Sequence, residues 1–432
     1  MVNRPFVRIA RPLRIQGGII EAILPEVHIG EICKIERSLT NREVLGEAQV
    51  IGFNGMYTQL CLFNDNHGFS RDILLVPTGN SFKISVSDDI AGAIIDASGN
   101  VCGRLGPSSR ENSTQEQKKI SINRLPPNFS QRRPVTEVFE TRVRVIDSLL
   151  TCGKGQRIGI FAAAGCGKTS LMRMLIENAN ADIIVIGIIG ERSREVTELV
   201  EDLKTSSRGN RITLVYTTSD RSCIERYNTA QIATTIAEYF CNKGLNVLLF
   251  MDSITRYARA LRDVALSLGE LPARRGYPAS VFEDLPKLLE RPGNFLKGSI
   301  TTFYTVLIEN EEEPDVIGDE VRSVLDGHIY LSQRLAFKGH YPAIDVLKSV
   351  SRVFNNVATE KHKHSASVFR NLLARQADMQ LSIDIGEYHR GENHENDIAF
   401  EKKNIMECFL KQPMTDSIEM TESLRKLYEI IE

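Results

Sequence analysis

The chain has 432 residues, which is enough for two or three domains with large buried cores. A net charge of −2, with 25% charged and 42% hydrophobic residues, is typical of a soluble protein and argues against a broad nucleic-acid or membrane-binding surface. Its eight cysteines are scattered without a C-x-x-C pair, so we expect mainly buried free thiols in a reducing compartment rather than a disulfide framework or a zinc site. The longest apolar run, residues 183–189, is too short to span a bilayer.

The first part of the chain, residues 1 to about 78, is predicted to be all-β. Short apolar runs at residues 47–53 and 58–63 are separated by a turn signal between Gly52 and Gly55. We expect a small barrel or sandwich that carries no catalytic group. Residues 107–134 are polar and interrupted by prolines, which predicts a surface excursion.

From Val143 onward, predicted strands alternate with helical stretches. The alternation indicates an α/β fold with a parallel sheet covered by helices on both faces, where ligands bind at the carboxyl ends of the strands. The candidate strands are residues 158–161, 182–189, 212–217, 247–252 and 300–308. From about residue 356 the pattern becomes helical, with short apolar stripes that indicate a further domain core.

Residues 157–169 predict a phosphate-binding loop between a strand and a helix. An apolar run is followed by small residues and then by Lys168 and Thr169 at the start of a helical pattern. Small residues let backbone N–H groups surround an anion, and the helix directs its positive end toward it. Lys168 can reach the β- and γ-phosphates, and the Thr169 hydroxyl can ligate Mg²⁺. Ala162 stands where this motif usually begins with glycine, and the alternative reading is a plain small-residue turn.

Three further candidates lie at or beyond predicted strand ends. Asp252 ends an apolar strand and could hold Mg²⁺, although an aspartate in this place can also cap the next helix. Glu191 could polarise an attacking water, with Arg192 beside it on the γ-phosphate, but a surface ion pair within residues 191–195 explains them equally well. Arg352 could be offered to a transition state, often from a neighbouring subunit, or could be an ordinary surface charge.

Residues 342–351, Pro-Ala-Ile-Asp-Val-Leu-Lys-Ser-Val-Ser, match the signature of the rotary ATP synthase α/β family. The loop at residues 190–192 resembles that family's catalytic-glutamate loop, and Tyr341 resembles its adenine-stacking position. Residues 409–414 resemble its second adenine wall, with Met414 where an aromatic residue is usual. The resemblance covers essentially the whole chain.

This resemblance implies a RecA-like P-loop ATPase core with a parallel sheet. A small N-terminal β-barrel that serves oligomerisation precedes the core, and a C-terminal helical domain follows it. The implied domains are residues 1–78, 79–355 and 356–432.

Within that family the chain is similar to the ATPases of bacterial type III protein secretion systems, and the flagellar export ATPase is similar as well. The motifs that carry this resemblance are residues 145–150, 164–169, 252–263, 269–278 and 320–328. Two departures are visible, because Arg142 and Ser193 occupy places where these ATPases commonly carry glycine. Neither departure removes a catalytic group, but both could alter local loops and reduce activity.

The resemblance implies ATP and Mg²⁺ as cofactors. Tyr341, Met414 and Arg256 are implied to bind the nucleotide, and Thr169 and Asp252 to hold the metal. The implied phosphate loop consists of Ala163, Ala164, Gly165, Cys166, Gly167, Lys168, Thr169 and Ser170.

The implied reaction is in-line attack of water on the γ-phosphate. Lys168 and Arg192 neutralise the γ-phosphate, and Glu191 orients the water. Arg352 of the next subunit completes the charge around the transition state.

The implied assembly is a cytoplasmic homohexamer at the cytoplasmic face of the bacterial inner membrane, peripherally associated with the export gate. Implied partners are a central stalk, which would touch the ring near residues 385–396, peripheral regulatory proteins, and chaperone–substrate complexes that the ring takes apart and unfolds. The acidic run at residues 309–315 is predicted to be a solvated loop.

Alternatives of other classes stay open at this point. One is the catalytic subunit of a rotary ATP synthase or vacuolar ATPase, which needs a partner subunit of similar fold. Another is a non-catalytic nucleotide-binding subunit, which Glu191 argues against. An RNA-translocating ring is disfavoured by the neutral charge and the lack of an aromatic stacking surface, so we expect no nucleic-acid partner.

Overall fold

The computed structural model describes residues 8–63, 69–106, 117–309, 315–384, 391 and 393–432. Its strands are β1 (Pro12–Gln16), β2 (Ile19–Ala22), β3 (Glu31–Glu36), β4 (Val44–Asn54), β5 (Tyr57–Leu62), β6 (Leu74–Ser81), β7 (Lys83–Val86), β8 (Ala93–Ile95), β9 (Val101–Arg104), β10 (Lys118–Ser121), β11 (Val138–Phe139), β12 (Cys152–Gly153), β13 (Arg157–Ala162), β14 (Ile183–Glu191), β15 (Ile212–Thr218), β16 (Asn246–Asp252), β17 (Ser299–Leu307), β18 (Gly327–Leu331) and β19 (Ile344–Ser351). Its helices are α1 (Arg144–Leu149), α2 (Lys168–Asn178), α3 (Ser193–Thr205), α4 (Cys223–Cys241), α5 (Ile254–Ser267), α6 (Ala279–Leu289), α7 (Val316–Val324), α8 (Gln333–Phe337), α9 (Phe354–Val357), α10 (Glu360–Asp384), α11 (His394–Glu401), α12 (Lys403–Leu410) and α13 (Met420–Ile431).

Parts of three predicted segments lie outside the described residues. They are residues 107–116 of the surface excursion, 310–314 of the acidic run, and 385–390 and 392 of the stalk-contact segment. Across the described residues, no helix combines the length and the hydropathy that crossing a bilayer requires.

The chain divides into two compact units. Unit 1 comprises Met1–Pro126, Val185–Tyr239 and Met251–Arg291, and unit 2 comprises Pro127–Ile184, Phe240–Phe250 and Pro292–Glu432. The domain boundaries at residues 78 and 355 stay predictions.

The N-terminal part of unit 1 is a closed antiparallel sheet with the strand order β1-β2-β5-β4-β3-β6. Ala10, just before β1, exchanges backbone hydrogen bonds of 3.0 and 2.8 Å with Leu75 of β6, so the sheet closes on itself. Side chains that alternate along the strands fill the interior, among them Ile20, Val50 and Leu60, which are fully buried. The β4–β5 hairpin contains the two runs predicted as strands, and the closure confirms the predicted small barrel.

The remaining strands of unit 1 include β14, β15, β8 and β9, which lie in that order in one sheet. β15 pairs with β8 in parallel, and β8 pairs with β9 antiparallel. Every residue of β14 is buried, because a strand in the interior of a helix-covered parallel sheet is enclosed on both faces.

The sheet strands of unit 2 have the order β19-β18-β13-β17-β16. β13 is parallel to both β17 and β18, whereas β18 is antiparallel to β19. All five strands predicted between residues 158 and 308 are present, with ends that differ by two residues or fewer. The outermost strands β9 and β19 are antiparallel to their neighbours, which the prediction of a parallel sheet did not include. Their short or half-exposed sequences lack the continuous apolar run of a buried parallel strand.

The C-terminal helices α10 to α13 pack with one another and with α1 inside unit 2. The rings of Phe369 in α10 and Phe409 in α12 have centroids 5.3 Å apart, and Leu427 of α13 is fully buried. The predicted helical region beyond residue 356 is therefore confirmed.

The turn before α1 is built around a buried carboxylate. Asp147 accepts hydrogen bonds from the backbone N–H of Thr141 (2.9 Å), the hydroxyl of Thr141 (2.7 Å) and the backbone N–H of Arg142 (2.7 Å). Burial raises the pKa of Asp147 to about 7, although these three donors act in the opposite direction. Arg142 has a φ of +58°, which is the left-handed region that favours glycine. This positive φ explains why the ATPases that the chain resembles commonly carry glycine at this position.

We expect Arg142→Gly to be more stable than Arg142→Ala by about 0.5–1 kcal/mol. Both variants lose the same side-chain contacts, but alanine retains the left-handed strain of about 1–2 kcal/mol. Glycine avoids this strain, and its greater freedom in the unfolded state offsets part of the gain. Thermal unfolding followed by calorimetry measures the difference.

The second departure from glycine provides the control. Ser193 is the first residue of α3 and does not have a positive φ. Ser193→Gly should therefore be no more stable than Ser193→Ala. An Arg142→Gly variant that melts at or below the Arg142→Ala variant would contradict the backbone explanation.

Candidate active site

The phosphate loop connects β13 to α2 within unit 2. Gly165 and Gly167 have φ values of +79° and +83°, and Gly167 is the N-cap of α2. Gly167 has no side chain that could accept from the first N–H groups of the helix, and helix N-termini of this kind are common binding sites for anions. The left-handed glycines turn the chain tightly enough to bring the helix start directly after the strand.

Some of the other loop residues are buried and others are exposed. Ala163 and Cys166 are buried, whereas Ala164, Gly165 and Thr169 are exposed. The loop is also held from outside, because Nε2 of Gln333 in α8 donates to the Ala164 carbonyl at 3.2 Å. Lys168 and Ser170 are half-buried at the start of α2.

Tyr341 lies against this loop. A Cβ atom at Gly167 would approach Cε1 of the Tyr341 ring to 2.9 Å, so a side chain at this left-handed position would displace the ring. Tyr341 keeps 39% exposure, and Met414, on the segment after α12, keeps 46%. The backbone N–H of Gln412 donates to the Tyr341 carbonyl at 3.0 Å, which connects that segment to Tyr341. No local sequence signal marks Gln412 or Gln333, because their contacts join distant parts of the chain.

The signature at residues 342–351 has a structural role that its sequence does not reveal. The Ser351 hydroxyl donates to the Thr151 carbonyl at 2.8 Å, and the Ser349 hydroxyl donates to the Asp345 carbonyl at 2.6 Å. These bonds stabilise the backbone of β19, at whose end Arg352 lies. Arg352 is exposed, and its Nη2 donates to the Arg322 carbonyl at 3.2 Å. An exposed guanidinium on a well-anchored strand is accessible to another molecule.

Unit 1 contains a charged pair at the end of β14. Glu191 is 5% exposed, and its Oε2 accepts from Nη2 of Arg256 at 2.8 Å. Nη1 of Arg256 also donates to the Gly190 carbonyl. A partly buried, charge-assisted contact of this kind holds the carboxylate in one orientation. Gly190 has a φ of +63°, and a Cβ there would lie 3.0 Å from Cδ of Arg226, a residue that sequence analysis did not single out.

The surface ion pair considered for residues 191–195 exists, but it does not include Glu191. Arg192 has a side chain that is 81% exposed and lies 3.9 Å from the Glu195 carboxylate. Such an exposed contact contributes little to stability. Glu191, in contrast, is buried, so the structure separates two neighbours that the sequence could not tell apart.

Asp252 ends β16 with 5% exposure. It is not the cap of the next helix, because the N-cap of α5 is Ser253, whose hydroxyl accepts from the Arg256 N–H at 3.4 Å. The capping alternative for Asp252 is therefore removed. Its carboxylate lies at the carboxyl end of a parallel strand, where ligands of such sheets bind.

A loop with two left-handed glycines between a parallel strand and a helix, with lysine and threonine at the helix start, defines a P-loop nucleotide-binding protein. Residues 142–351 match the ATP synthase alpha/beta family, nucleotide-binding domain, and residues 358–429 match the T3SS EscN ATPase C-terminal domain. The chain is 52% identical over 416 residues to the SPI-1 type 3 secretion system ATPase of Salmonella typhi, and the match covers 96% of each chain. It is 40% identical over 423 residues to the flagellum-specific ATP synthase of Bacillus subtilis, covering 98% of this chain and 95% of that one.

Solved structures of a type III secretion ATPase are also similar to this chain. The assembled ATPase EscN from the enteropathogenic E. coli type III secretion system superposes with a TM-score of 0.90 at 42% identity, covering 98% of this chain and 100% of EscN. A second EscN structure, in complex with its central stalk EscO, has a TM-score of 0.87 at 41% identity over the same shares of the two chains. The chain belongs to the type 3 secretion system ATPase family, and its enzymatic activity is ATP hydrolysis. The flagellar alternative is less favoured.

We expect Arg256→Ala to lower kcat by about 10- to 100-fold, because the buried Glu191 carboxylate loses the group that orients it. Arg256→Lys should recover part of the loss, since an ammonium group keeps the charge but not the forked geometry. Steady-state ATP hydrolysis measures both variants.

Arg262→Ala is the matched control on the same helix. The Arg262 guanidinium contacts Asp263 at 3.1 Å and lies 5.4 Å from the centroid of the Tyr277 ring. Its removal should change kcat by less than about twofold, since partly exposed ion pairs contribute little. Unchanged turnover in Arg256→Ala, or an equal loss in both variants, would show that the Glu191 pair does not matter for hydrolysis.

Proposed function

We propose that the chain is the Mg²⁺-dependent ATPase of a type III protein secretion apparatus and works as a homohexamer. The observation that carries the proposal is the phosphate loop, with Gly165 and Gly167 in left-handed conformations and the Tyr341 ring against Gly167. A triphosphate suits the positive end of α2 behind a glycine-containing loop, and an adenine base suits a flat, partly exposed aromatic ring next to it.

The chain's own groups divide the work of hydrolysis. Lys168 binds and neutralises the β- and γ-phosphates, and Arg192, which is largely exposed, contacts the γ-phosphate. Glu191, oriented by Arg256, positions the attacking water and accepts its proton. The nucleotide base lies between Tyr341 and Met414, the latter a softer wall than an aromatic residue.

The residues that would hold the metal are Thr169 and Asp252. Their hydroxyl and carboxylate oxygens are the donors that Mg²⁺ prefers, and neither is used in capping a helix. Mg²⁺ held there would supply positive charge that neutralises the phosphates of the nucleotide.

Arg352 acts on the nucleotide of the neighbouring subunit. Its exposed position at the end of β19 supports this role, as does the assembled state of EscN. In such a ring, a subunit alone lacks the charge that completes its own site.

The coupled work is release of chaperones and unfolding of export substrates. A central stalk is a partner, by analogy with EscN bound to its central stalk EscO, and it touches the ring near residues 385–396. Peripheral regulatory proteins and the export gate at the cytoplasmic face of the inner membrane complete the proposed partners. If the chain hydrolyses ATP without a second subunit of similar fold, it differs from rotary ATP synthases. If RNA does not stimulate hydrolysis, it differs from RNA-translocating rings.

Replacement of the catalytic groups tests the proposed chemistry. Glu191→Gln should keep nucleotide affinity and lower kcat by about 100-fold or more, because an amide cannot accept the proton of water. Lys168→Ala should abolish hydrolysis and export in cells while the melting temperature stays close to that of the unaltered chain. Nucleotide binding lost in parallel with kcat in Glu191→Gln, or near-normal turnover in a folded Lys168→Ala protein, would overturn these assignments.

Mixing two inactive variants tests the ring. Arg352→Ala and Glu191→Gln should each be nearly inactive, since an arginine finger is worth about 10³–10⁵ in kcat. In one-to-one mixed hexamers about a quarter of the interfaces combine an intact Glu191 with an intact Arg352 from the neighbour, so up to about a quarter of the rate should return.

Concentration dependence is the control for this mixing. With a finger from the neighbour, activity of the unaltered chain should rise faster than linearly with protein concentration. If mixed hexamers form without recovery and the dilute monomer is fully active, Arg352 acts within its own subunit. An inactive monomer with no recovery would instead show that one dead site stops the ring.

A further inference from the structure

Gln412 is a buried glutamine whose side-chain amide uses both N–H donors and its carbonyl acceptor in hydrogen bonds. It is 2% exposed, and its Oε1 accepts from the Arg144 N–H at 2.8 Å. Its Nε2 donates to the carbonyls of Arg142 at 3.0 Å and of Asp416 at 2.8 Å. A carboxamide offers two N–H donors and a carbonyl acceptor, so all three functions are satisfied.

These bonds join two segments that are distant in sequence. One is the turn before α1, whose left-handed Arg142 is fixed by the Asp147 carboxylate. The other is the segment after α12, where the bond to Asp416 closes the chain around Met414. Met414 lies between two residues that the amide fixes, so its position depends on Gln412.

The backbone of the same residue reaches the other proposed wall of the base site. The Gln412 N–H donates to the Tyr341 carbonyl at 3.0 Å, and the Tyr341 ring lies against Gly167 of the phosphate loop. Arg144 strengthens the arrangement, because its Nη1 donates to the Phe409 carbonyl at 3.0 Å and its guanidinium lies 5.5 Å from the centroid of the Phe409 ring. The end of α12 is thereby anchored to α1.

We infer that Gln412 is the positioning residue of the adenine site, holding Tyr341 through its backbone and Met414 through its side-chain amide. The inference rests on the proposed function, in which Tyr341 and Met414 flank the base. Gln412 itself touches neither phosphates nor metal in this arrangement, so it sets affinity for the base and leaves the chemical step unchanged.

Gln412→Glu is the sharpest variant, because it keeps size and the acceptor for the Arg144 N–H but replaces both donors. A carboxylate would then face the carbonyl oxygens of Arg142 and Asp416, which repels that segment from the turn. The methionine in Gln412→Met has a similar length but no charge that would repel the carbonyl oxygens. This variant provides the test if Gln412→Glu does not fold.

Comparing ADP with tripolyphosphate distinguishes binding of the base from binding of the phosphates. KM for ATP and the inhibition constant of ADP should rise by about tenfold, which corresponds to about 1.4 kcal/mol. The inhibition constant of tripolyphosphate, which has no base, should stay within about twofold, and kcat at saturating ATP within about threefold. A variant that is merely destabilised would lose active protein, and hence apparent kcat, without this difference between ADP and tripolyphosphate.

Gln376→Ala is the matched control. Gln376 is a half-buried glutamine of α10 whose Nε2 donates to the Ala399 carbonyl of α11 at 2.7 Å, so its loss weakens the packing of neighbouring C-terminal helices. Its nucleotide constants should not change.

Tyr341→Ala distinguishes the inference from the proposed function. If Tyr341→Ala weakens ADP but not tripolyphosphate, whereas folded Gln412→Glu and Gln412→Met bind both normally, the role of Gln412 is wrong and the adenine site stands. If Tyr341→Ala also has no effect on ADP, the adenine site itself is misplaced. Parallel weakening of ADP and tripolyphosphate in the Gln412 variants would likewise overturn the role. Less-than-additive losses in the Tyr341→Ala, Gln412→Glu double variant would support it.

Discussion

The absence of a side chain at Gly167 is the constraint on which the nucleotide site depends. Its left-handed φ of +83° places the start of α2 directly after the loop, and the Tyr341 ring occupies the space that a Cβ would need. The same residue leaves the N-cap of α2 without a side chain and makes room for an aromatic ring beside the loop. In the proposed nucleotide site, the binding of the phosphates and the binding of the base would therefore both depend on this one backbone position.

Buried hydrogen bonds connect this part of unit 2 to its C-terminal helices. Asp147 fixes the turn at Arg142, and Gln412 connects this turn to the segment that contains Met414. Each of these buried groups has its hydrogen bonds satisfied, which avoids the cost of desolvating an unpaired donor or acceptor. The left-handed Arg142 is the strained member of the network, and Asp147 holds it in place through its backbone N–H.

In unit 1, electrostatics rather than backbone geometry prepares Glu191, the carboxylate proposed to orient the attacking water. Glu191 is buried at the end of an apolar strand, where an unpaired carboxylate would be costly, and Arg256 supplies the compensating charge. This pairing gives the carboxylate one defined orientation before any substrate arrives. The exposed Arg192 next to it has no comparable constraint, which suits a side chain that moves onto a phosphate.

The sequence by itself determined the phosphate loop, the five strands around it and the helical C-terminal region. These features depend on near neighbours, through apolar runs, small residues and helical periodicity. The tertiary structure alone decided that Ala10 and Leu75 close the barrel, that Arg256 pairs with a glutamate 65 positions away, and that the Gln412 amide reaches a turn 270 positions earlier. No local pattern encodes such contacts, because a hydrogen bond between distant residues exists only after the packing of whole elements has placed its donor and acceptor together.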